Sequence, residues 1–241
     1  MTRTVVIDCF PECLPRYRDG RALVAVDIIR ASTTAVTAVS LGRRCLPAVS
    51  IDEAVALARS LPDPLLVGEL GGSLPYGFHL QNSPAALAER SDVGRPMVLL
   101  STSGTRVMRG GLSGQPVYVA CLRNQKALTS HLALNHEGVV LIGAGARGEF
   151  REEDQLGCAR IAEQLIDAGY EPLGDTTSIV SRWKGVPAEA IRSGASAEYL
   201  RRTGQERDLE FILEHIDDLQ AVIRLNGREL EPVREAAYAG G

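Results

Sequence analysis

Seven short, β-rich runs, nearly all apolar and most of them followed by a helical stretch, constrain this chain more than any other feature. The runs are Thr4–Asp8, Ala22–Ile28, Arg44–Val49, Leu65–Glu69, Met97–Ser101, Val117–Cys121 and Val139–Gly143. Continuous apolar runs such as MVLLS and VVLIG, rather than alternating ones, are the pattern of strands covered on both faces. Helical patterns lie near 31–41, 52–61, 83–90, 104–110, 124–136 and 152–168. In the last, Cys158, Ile161, Ala162, Leu165 and Ile166 form one apolar stripe that Gly169 ends. Alternating β and α units predict an α/β fold, a three-layer α/β/α sandwich around a largely parallel, mixed sheet. From Gly174 the texture changes. Residues 176–218 read as several short helices broken by Gly185, Pro187, Gly194 and Gly204, a helical C-terminal cap or packing layer. Ala221–Leu225 reads as one more strand, and Glu231–Gly241 as a frayed end.

The chain has 241 residues, enough for one α/β domain spanning 1–241, with no linker or repeat to divide it. A net charge of −4 without a Lys/Arg track predicts neither a nucleic-acid nor a membrane-surface partner. No run approaches the roughly 20 apolar residues of a membrane span. The N-terminus MTRTVVIDCF lacks a signal-peptide core. The five cysteines, at 9, 13, 45, 121 and 158, make no CxxC pair, which favours reduced thiols and a cytoplasmic protein.

In a parallel α/β sheet, ligands bind beyond the carboxyl ends of the strands. After the second run stand Asp27, Arg30, Ser32 and Thr33. The carboxylate suits a hard cation such as Mg²⁺, and a guanidinium with hydroxyls at a helix start suits an oxyanion. Taken singly, Ser32 and Thr33 are more ordinarily helix caps. After the fifth run, Ser101-Thr102-Ser103-Gly104-Thr105 has the same cradle-like make-up, or else that of a hydroxyl-capped turn. After the fourth come Glu69 and a loop with Gly71, Gly72 and Gly77, closed by Asn82-Ser83-Pro84, a helix start. After the seventh, Gly143-Ala-Gly145-Ala-Arg147-Gly148 is a literal GxGxxG, which raises an NAD(P)-dependent oxidoreductase as an alternative. It leads, however, into Glu149, Glu152, Glu153 and Asp154, and those charges repel pyrophosphate. Tyr170-Glu171-Pro172 supplies no clear second strand for the motif. Acids at a helix start also suit the helix dipole, although Glu153 and Asp154 remain metal candidates.

Taken in order, these clusters resemble the 2-phosphosulfolactate phosphatase family, from about Val24 to beyond Asp154. The pieces that carry the likeness are Val26-Asp27-Ile28-Ile29-Arg30-Ala31-Ser32-Thr33, Gly68-Glu69 with Gly71-Gly72, Gly77-Phe78 leading to Asn82-Ser83-Pro84, Gly104-Thr105, and Glu153-Asp154 with Cys158-Ala159. The resemblance implies a magnesium-dependent hydrolase acting on the phosphate monoester of a small 2-hydroxy acid. It carries over Asp27, Arg30, Glu69, Thr102, Gly104, Thr105, Glu153 and Asp154. The expected division puts Asp27, Glu69, Glu153 and Asp154 on Mg²⁺, with Asp27, Arg30, Glu153 and Asp154 in catalysis. Ser32, Thr33, Thr102, Ser103, Gly104 and Thr105 would hold a small anionic phosphorylated substrate. The family pattern is broken at Leu70 (an Arg in the family), His79, Gln81 and Ser103, so an eroded, non-catalytic anion-binding protein is a further alternative. The helical tail could also form a homodimer.

Overall fold

A computed structural model describes residues 2–17, 20–111, 114–145 and 149–233. All ten described strands join one mixed, mostly parallel sheet flanked by helices. In chain order they are β1 (Thr4–Asp8), β2 (Ala22–Val26), β3 (Cys45–Ala48), β4 (Leu65–Gly68), β5 (Met97–Leu100), β6 (Val117–Ala120), β7 (Gly138–Gly143), β8 (Glu171–Leu173), β9 (Ile223–Asn226) and β10 (Glu229–Pro232). Across the sheet they run β4-β5-β3-β10-β9-β6-β2-β7-β1-β8. The apolar runs become interior strands for the expected reason: β2, with all five residues buried, pairs in parallel with β6 and β7. The α/β expectation holds.

The helices are α1 (Ala31–Ser40), α2 (Ile51–Arg59), α3 (Pro84–Ala88), α4 (Gly104–Met108), α5 (Gln125–Asn135), α6 (Glu152–Asp167), α7 (Thr176–Trp183), α8 (Ala195–Arg202) and α9 (Glu206–Glu214). A short 3-10 segment, Ala188–Ser193, stands before α8. Helix α1, ASTTAVTAVS, is buried from Ala31 to Val39 and touches β3, β5, β6, β10, α3 and α4. Only small and β-branched side chains fit a helix enclosed on every side. A flat sheet with strands about 4.8 Å apart would hold β2 and β5 some 24 Å from each other. Yet an ideal Cβ built on Gly104, just after β5, would stand 2.2 Å from a carboxylate oxygen of Asp27, just after β2. The sheet therefore curls around α1, and this curl brings distant strand ends together.

Two strands escape a reading by apolar runs. Glu171–Leu173 pairs in parallel with β1, although its sequence, EPL, carries one apolar side chain and a proline. The expectation that this segment supplies no strand is corrected: as the last strand at one edge of the sheet, it tolerates the proline. Glu229–Pro232, partly assigned to a frayed end, forms an antiparallel hairpin with β9 that is inserted between β3 and β6. Leu230 is the buried member of that strand, and its neighbours Glu229 and Glu231 pair with Arg44 and Arg224. In the C-terminal helical layer, α7 packs on α6, and α9 packs on both α3 and α8.

Candidate active site

A cavity of about 370 Å³ opens where the carboxyl ends of β2, β4, β5 and β7 meet α8. Asp27, Glu69 and Asp154 all face it, so acids from three remote segments share one wall. Asp27 is fixed by the turn that opens α1. Its Oδ1 accepts from the Ala31 amide at 3.0 Å, its own amide donates to Ser32 Oγ at 3.0 Å, and its carbonyl accepts from the Ser32 amide at 3.0 Å. Oδ2 lies over Gly104, where any side chain would collide with it. Glycine there is thus a condition for the close approach of the two loops.

Glu69 organises the loop after β4. Its Oε1 accepts from the Thr102 amide at 2.7 Å, and its Oε2 accepts from the Thr102 hydroxyl at 2.9 Å and the Gly72 amide at 2.7 Å. Thr102 Oγ1 accepts in turn from the Gly71 amide at 2.8 Å. Asp154, in the first turn of α6, ties two strand ends together: Oδ1 accepts from the Ile28 amide at 2.7 Å and Oδ2 from the Ala144 amide at 3.2 Å. Glu153 beside it is 2% exposed, and its Oε1 has no hydrogen-bond partner.

Burial drives the titration of these acids. Asp27 is pushed up to about 7 by burial and then by the charges of Glu69 and Glu153, against the pull of the Ala31 amide and of Arg30. Burial raises Glu153, and it raises Asp154 well above the usual carboxylate range, with the Asp27 and Glu153 charges adding to the shift. Such mutual repulsion among buried oxygens is relieved either by protons or by a cation. Among the described residues, no three Asp, Glu, His or Cys side chains are grouped so as to hold a metal ion by themselves. Mg²⁺ does not require one, since it commonly takes one or two carboxylates together with water and substrate phosphate oxygens. The hard-oxygen donor set and the unpartnered Glu153 Oε1 therefore fit Mg²⁺.

The other residues singled out from sequence divide into two groups. Thr102 and Ser103 line the cavity. Ser32, Thr33 and Thr105 face inward. Thr33 Oγ1 donates to the Ile28 carbonyl at 2.8 Å, and Thr105 Oγ1 donates to the Ser101 carbonyl at 3.1 Å while its amide donates to Ser101 Oγ at 2.9 Å. These hydroxyls fold the strand-to-helix turns, the plainer of their two readings. Arg30 lines the cavity, but its Nη1 is spent on Asp208 Oδ2 at 2.5 Å and Gln205 Oε1 at 2.6 Å, from α9 and the turn before it. Asp208 Oδ1 accepts from Ser83 Oγ at 2.6 Å and from the Ala85 amide at 3.2 Å, so one buried carboxylate joins α1, α3 and α9.

Sequence reasoning missed Asp208, together with Asn82, Arg151, Ser196 and Tyr199 in the cavity wall. Asn82, which the sequence presents as part of a helix start, is 2% exposed, and its Oδ1 is unpartnered. Tyr199 donates its hydroxyl to the Gly72 carbonyl at 2.7 Å, pinning α8 to the loop after Glu69. Residues 146–148 of the GxGxxG segment lie outside the described residues. In the described part, an ideal Cβ on Gly145 would stand 2.4 Å from the Cys9 carbonyl oxygen, and the Ala144 amide is already taken by Asp154. Packing thus accounts for Gly145, and a carboxylate occupies the amide that a pyrophosphate would need.

Residues 9–228 match the 2-phosphosulpholactate phosphatase family. The chain is 33% identical over 206 residues to a probable 2-phosphosulfolactate phosphatase of Deinococcus radiodurans, covering 83% of this chain and 86% of that one. A protein of the same name from Symbiobacterium thermophilum is 33% identical over 200 residues, 80% and 86% of the two chains. One from Carboxydothermus hydrogenoformans is 31% identical over 205 residues, 84% and 85%. With the family match running almost from end to end and its acids gathered at one cavity, the chain belongs to the 2-phosphosulpholactate phosphatase family.

Proposed function

We propose that this chain hydrolyses the phosphate monoester of a small 2-hydroxy acid, 2-phosphosulfolactate or a close analogue, with Mg²⁺ at the acidic wall. The observation that carries the proposal is the convergence of Asp27, Glu69 and Asp154 on one cavity, with the unpartnered Glu153 beside them. Asp27 Oδ2 and Glu153 Oε1 would hold the ion, because both oxygens of Glu69 and both of Asp154 already accept amide or hydroxyl donors, whereas Asp27 gives Oδ1 alone to the Ala31 amide. A bound Mg²⁺ supplies charge neutralisation at the phosphoryl oxygens. The chain's own groups do the rest. Glu69, through Thr102 and Gly72, shapes the loop that closes one side of the cavity. Ser103 and Asn82 line the space where phosphoryl oxygens would sit. Asp208 fixes Arg30 in the cavity wall, where its guanidinium offsets the charge of Asp27. Helix α8 lines the cavity through Ala195, Ser196, Tyr199 and Leu200.

The test is release of inorganic phosphate from synthetic 2-phosphosulfolactate by purified protein, with Mg²⁺ and with EDTA. Turnover is expected with the metal, and Asp27→Asn is expected to lose more than about 100-fold, beyond the loss usual for residues that merely support a metal ligand. Turnover that is indifferent to both EDTA and Asp27→Asn would overturn the proposal.

A further inference from the structure

Two histidines meet at one tyrosine, at the end of the sheet opposite the acidic cavity. Tyr118 stands near the start of β6, His131 in the second half of α5, and His136 just after α5, two residues before β7. The cavity opens at the carboxyl ends of the parallel strands, whereas this cluster sits by the amino ends of β6 and β7, and none of its three residues lines the cavity. The Tyr118 oxygen lies 3.0 Å from Nε2 of His131 and 2.8 Å from Nε2 of His136. The two imidazole rings are 6.1 Å apart, centroid to centroid. Tyr118 is buried, while both imidazoles are partly exposed, so solvent reaches the cluster past the rings.

One phenolic proton serves only one of the two nitrogens. Tyr118 therefore donates to one ring and accepts from the other, and the same arrangement sets three metal-ligating atoms edge to edge. In a tetrahedral site with Zn–N bonds of about 2.0–2.1 Å, neighbouring donor atoms stand about 3.3 Å apart. The two N–O edges here fall about 0.3–0.5 Å short of that, a difference that small side-chain rotations close. The backbone behind the rings is anchored. The His136 amide donates to the Leu132 carbonyl at 3.0 Å, and the Tyr170 hydroxyl donates to the Leu132 carbonyl at 3.1 Å and to the His136 carbonyl. His131 Nδ1 stands 3.3 Å from the Asn135 side-chain amide, an outer contact of the kind that orients a ligating ring. Beside Tyr118 the sheet carries an ion pair: Arg224, opposite it on β9, meets Glu231 of β10 at 3.2 Å, so the cation there is matched by an anion.

We propose that His131, His136 and Tyr118 form a site for a borderline divalent transition ion, Zn²⁺ or Cu²⁺, that clips the end of α5 to β6. The ligands are both Nε2 atoms and the phenolate oxygen, with water in the fourth position. The phenolic proton passes to solvent, and the ring that carries its proton on Nε2 moves it to Nδ1. Two imidazoles with one phenolate select such ions over Mg²⁺, which prefers an all-oxygen donor set. The site stands apart from the phosphatase reading, and its test needs no turnover.

Calorimetric titration of Zn²⁺ into the full chain, with Mg²⁺ saturating throughout, measures the site. Native protein is expected to bind a Zn²⁺ that His131→Gln and His136→Gln each weaken by at least about 100-fold, more than the loss of an outer contact does. Tyr118→Phe, which keeps the buried ring, should weaken it by roughly 10- to 100-fold. Circular dichroism confirms that each variant is folded. Cu²⁺ on native protein gives a second reading that needs no histidine variant. Its electron paramagnetic resonance should show coupling to two imidazole nitrogens, and a phenolate-to-copper band should appear in the visible spectrum and vanish in Tyr118→Phe. No Zn²⁺ binding by native protein, equal binding by native protein and the folded histidine variants, copper coupled to fewer than two imidazoles, or no phenolate band would each overturn the proposal.

Discussion

Replacing Asp27 with asparagine in the metal-free protein is expected to stabilise it at alkaline pH while abolishing its metal response. Asp27 is 9% exposed, and its carboxyl is moved from an ordinary 3.8 to about 7, first by burial and then by Glu69 and Glu153. A carboxyl raised on folding contributes stability that is whole below its unfolded value and is lost as pH climbs through the folded one. The loss therefore develops between about pH 4 and pH 7 and is complete above that. At about 1.4 kcal/mol per pH unit it reaches roughly 4 kcal/mol, and sharing of the proton with Glu153 and Asp154 lowers it toward 2. Asparagine keeps the acceptor for the Ala31 amide and the shape beside Gly104, yet carries no charge. Urea unfolding in EDTA at pH 4 and at pH 8.5 measures the difference, with other titrating groups common to both proteins. The two midpoints should nearly coincide at pH 4, and the variant should be more stable by about 2–4 kcal/mol at pH 8.5. Added Mg²⁺ should raise the native midpoint at pH 8.5 and leave the variant's unmoved. A variant less stable than native at pH 8.5 would refute the claim that Asp27 is held in the protein at an energetic cost.

Other substitutions probe the scaffold. Gly104→Ala places a Cβ 2.2 Å from Asp27 Oδ2 and 2.7 Å from the Ala31 Cβ. It should cost about 1–3 kcal/mol in denaturant unfolding and reduce Mg²⁺-dependent turnover, because the two loops must separate. Asp208→Ala strands Arg30 in a buried site and should cost about 3–5 kcal/mol; a loss below 1 kcal/mol would mean that water reaches the pair. Tyr199→Phe removes one hydrogen bond to the Gly72 carbonyl. It should leave the melting temperature within a few degrees while changing KM more than kcat, read from steady-state phosphate release.

How much of this was legible beforehand depended on how directly each feature follows from local chemistry. The strand ends that carry Asp27 and Glu69 could be read because β2 and β4 are dense apolar runs that stop at those acids. Strand β8 could not, because an edge strand needs little apolar surface, and β10 could not, because its burial comes from Leu230 alone. Ser32, Thr33 and Thr105 looked like ligand groups since hydroxyls that bind anions and hydroxyls that cap turns share a composition; hydrogen-bond partners separate them. Asp208 and Tyr199 sit in a polar helical tail more than 120 residues from the groups they contact. Their positions follow from how α8 and α9 pack against α3 and the curled sheet, which no local pattern encodes. Arg151 had a weaker signal: one basic residue among the acids that open α6.

The central claim is that acids from remote segments share one divalent ion beside an oxyanion site. Anomalous diffraction from crystals soaked with Mn²⁺ and a phosphate mimic reads it most directly. A single strong peak within about 2.3 Å of oxygens of both Asp27 and Glu153, with the mimic bound to the same ion, is the expected result. A peak elsewhere on the molecule, or a mimic bound in the cavity with no metal at saturating Mn²⁺, would contradict it.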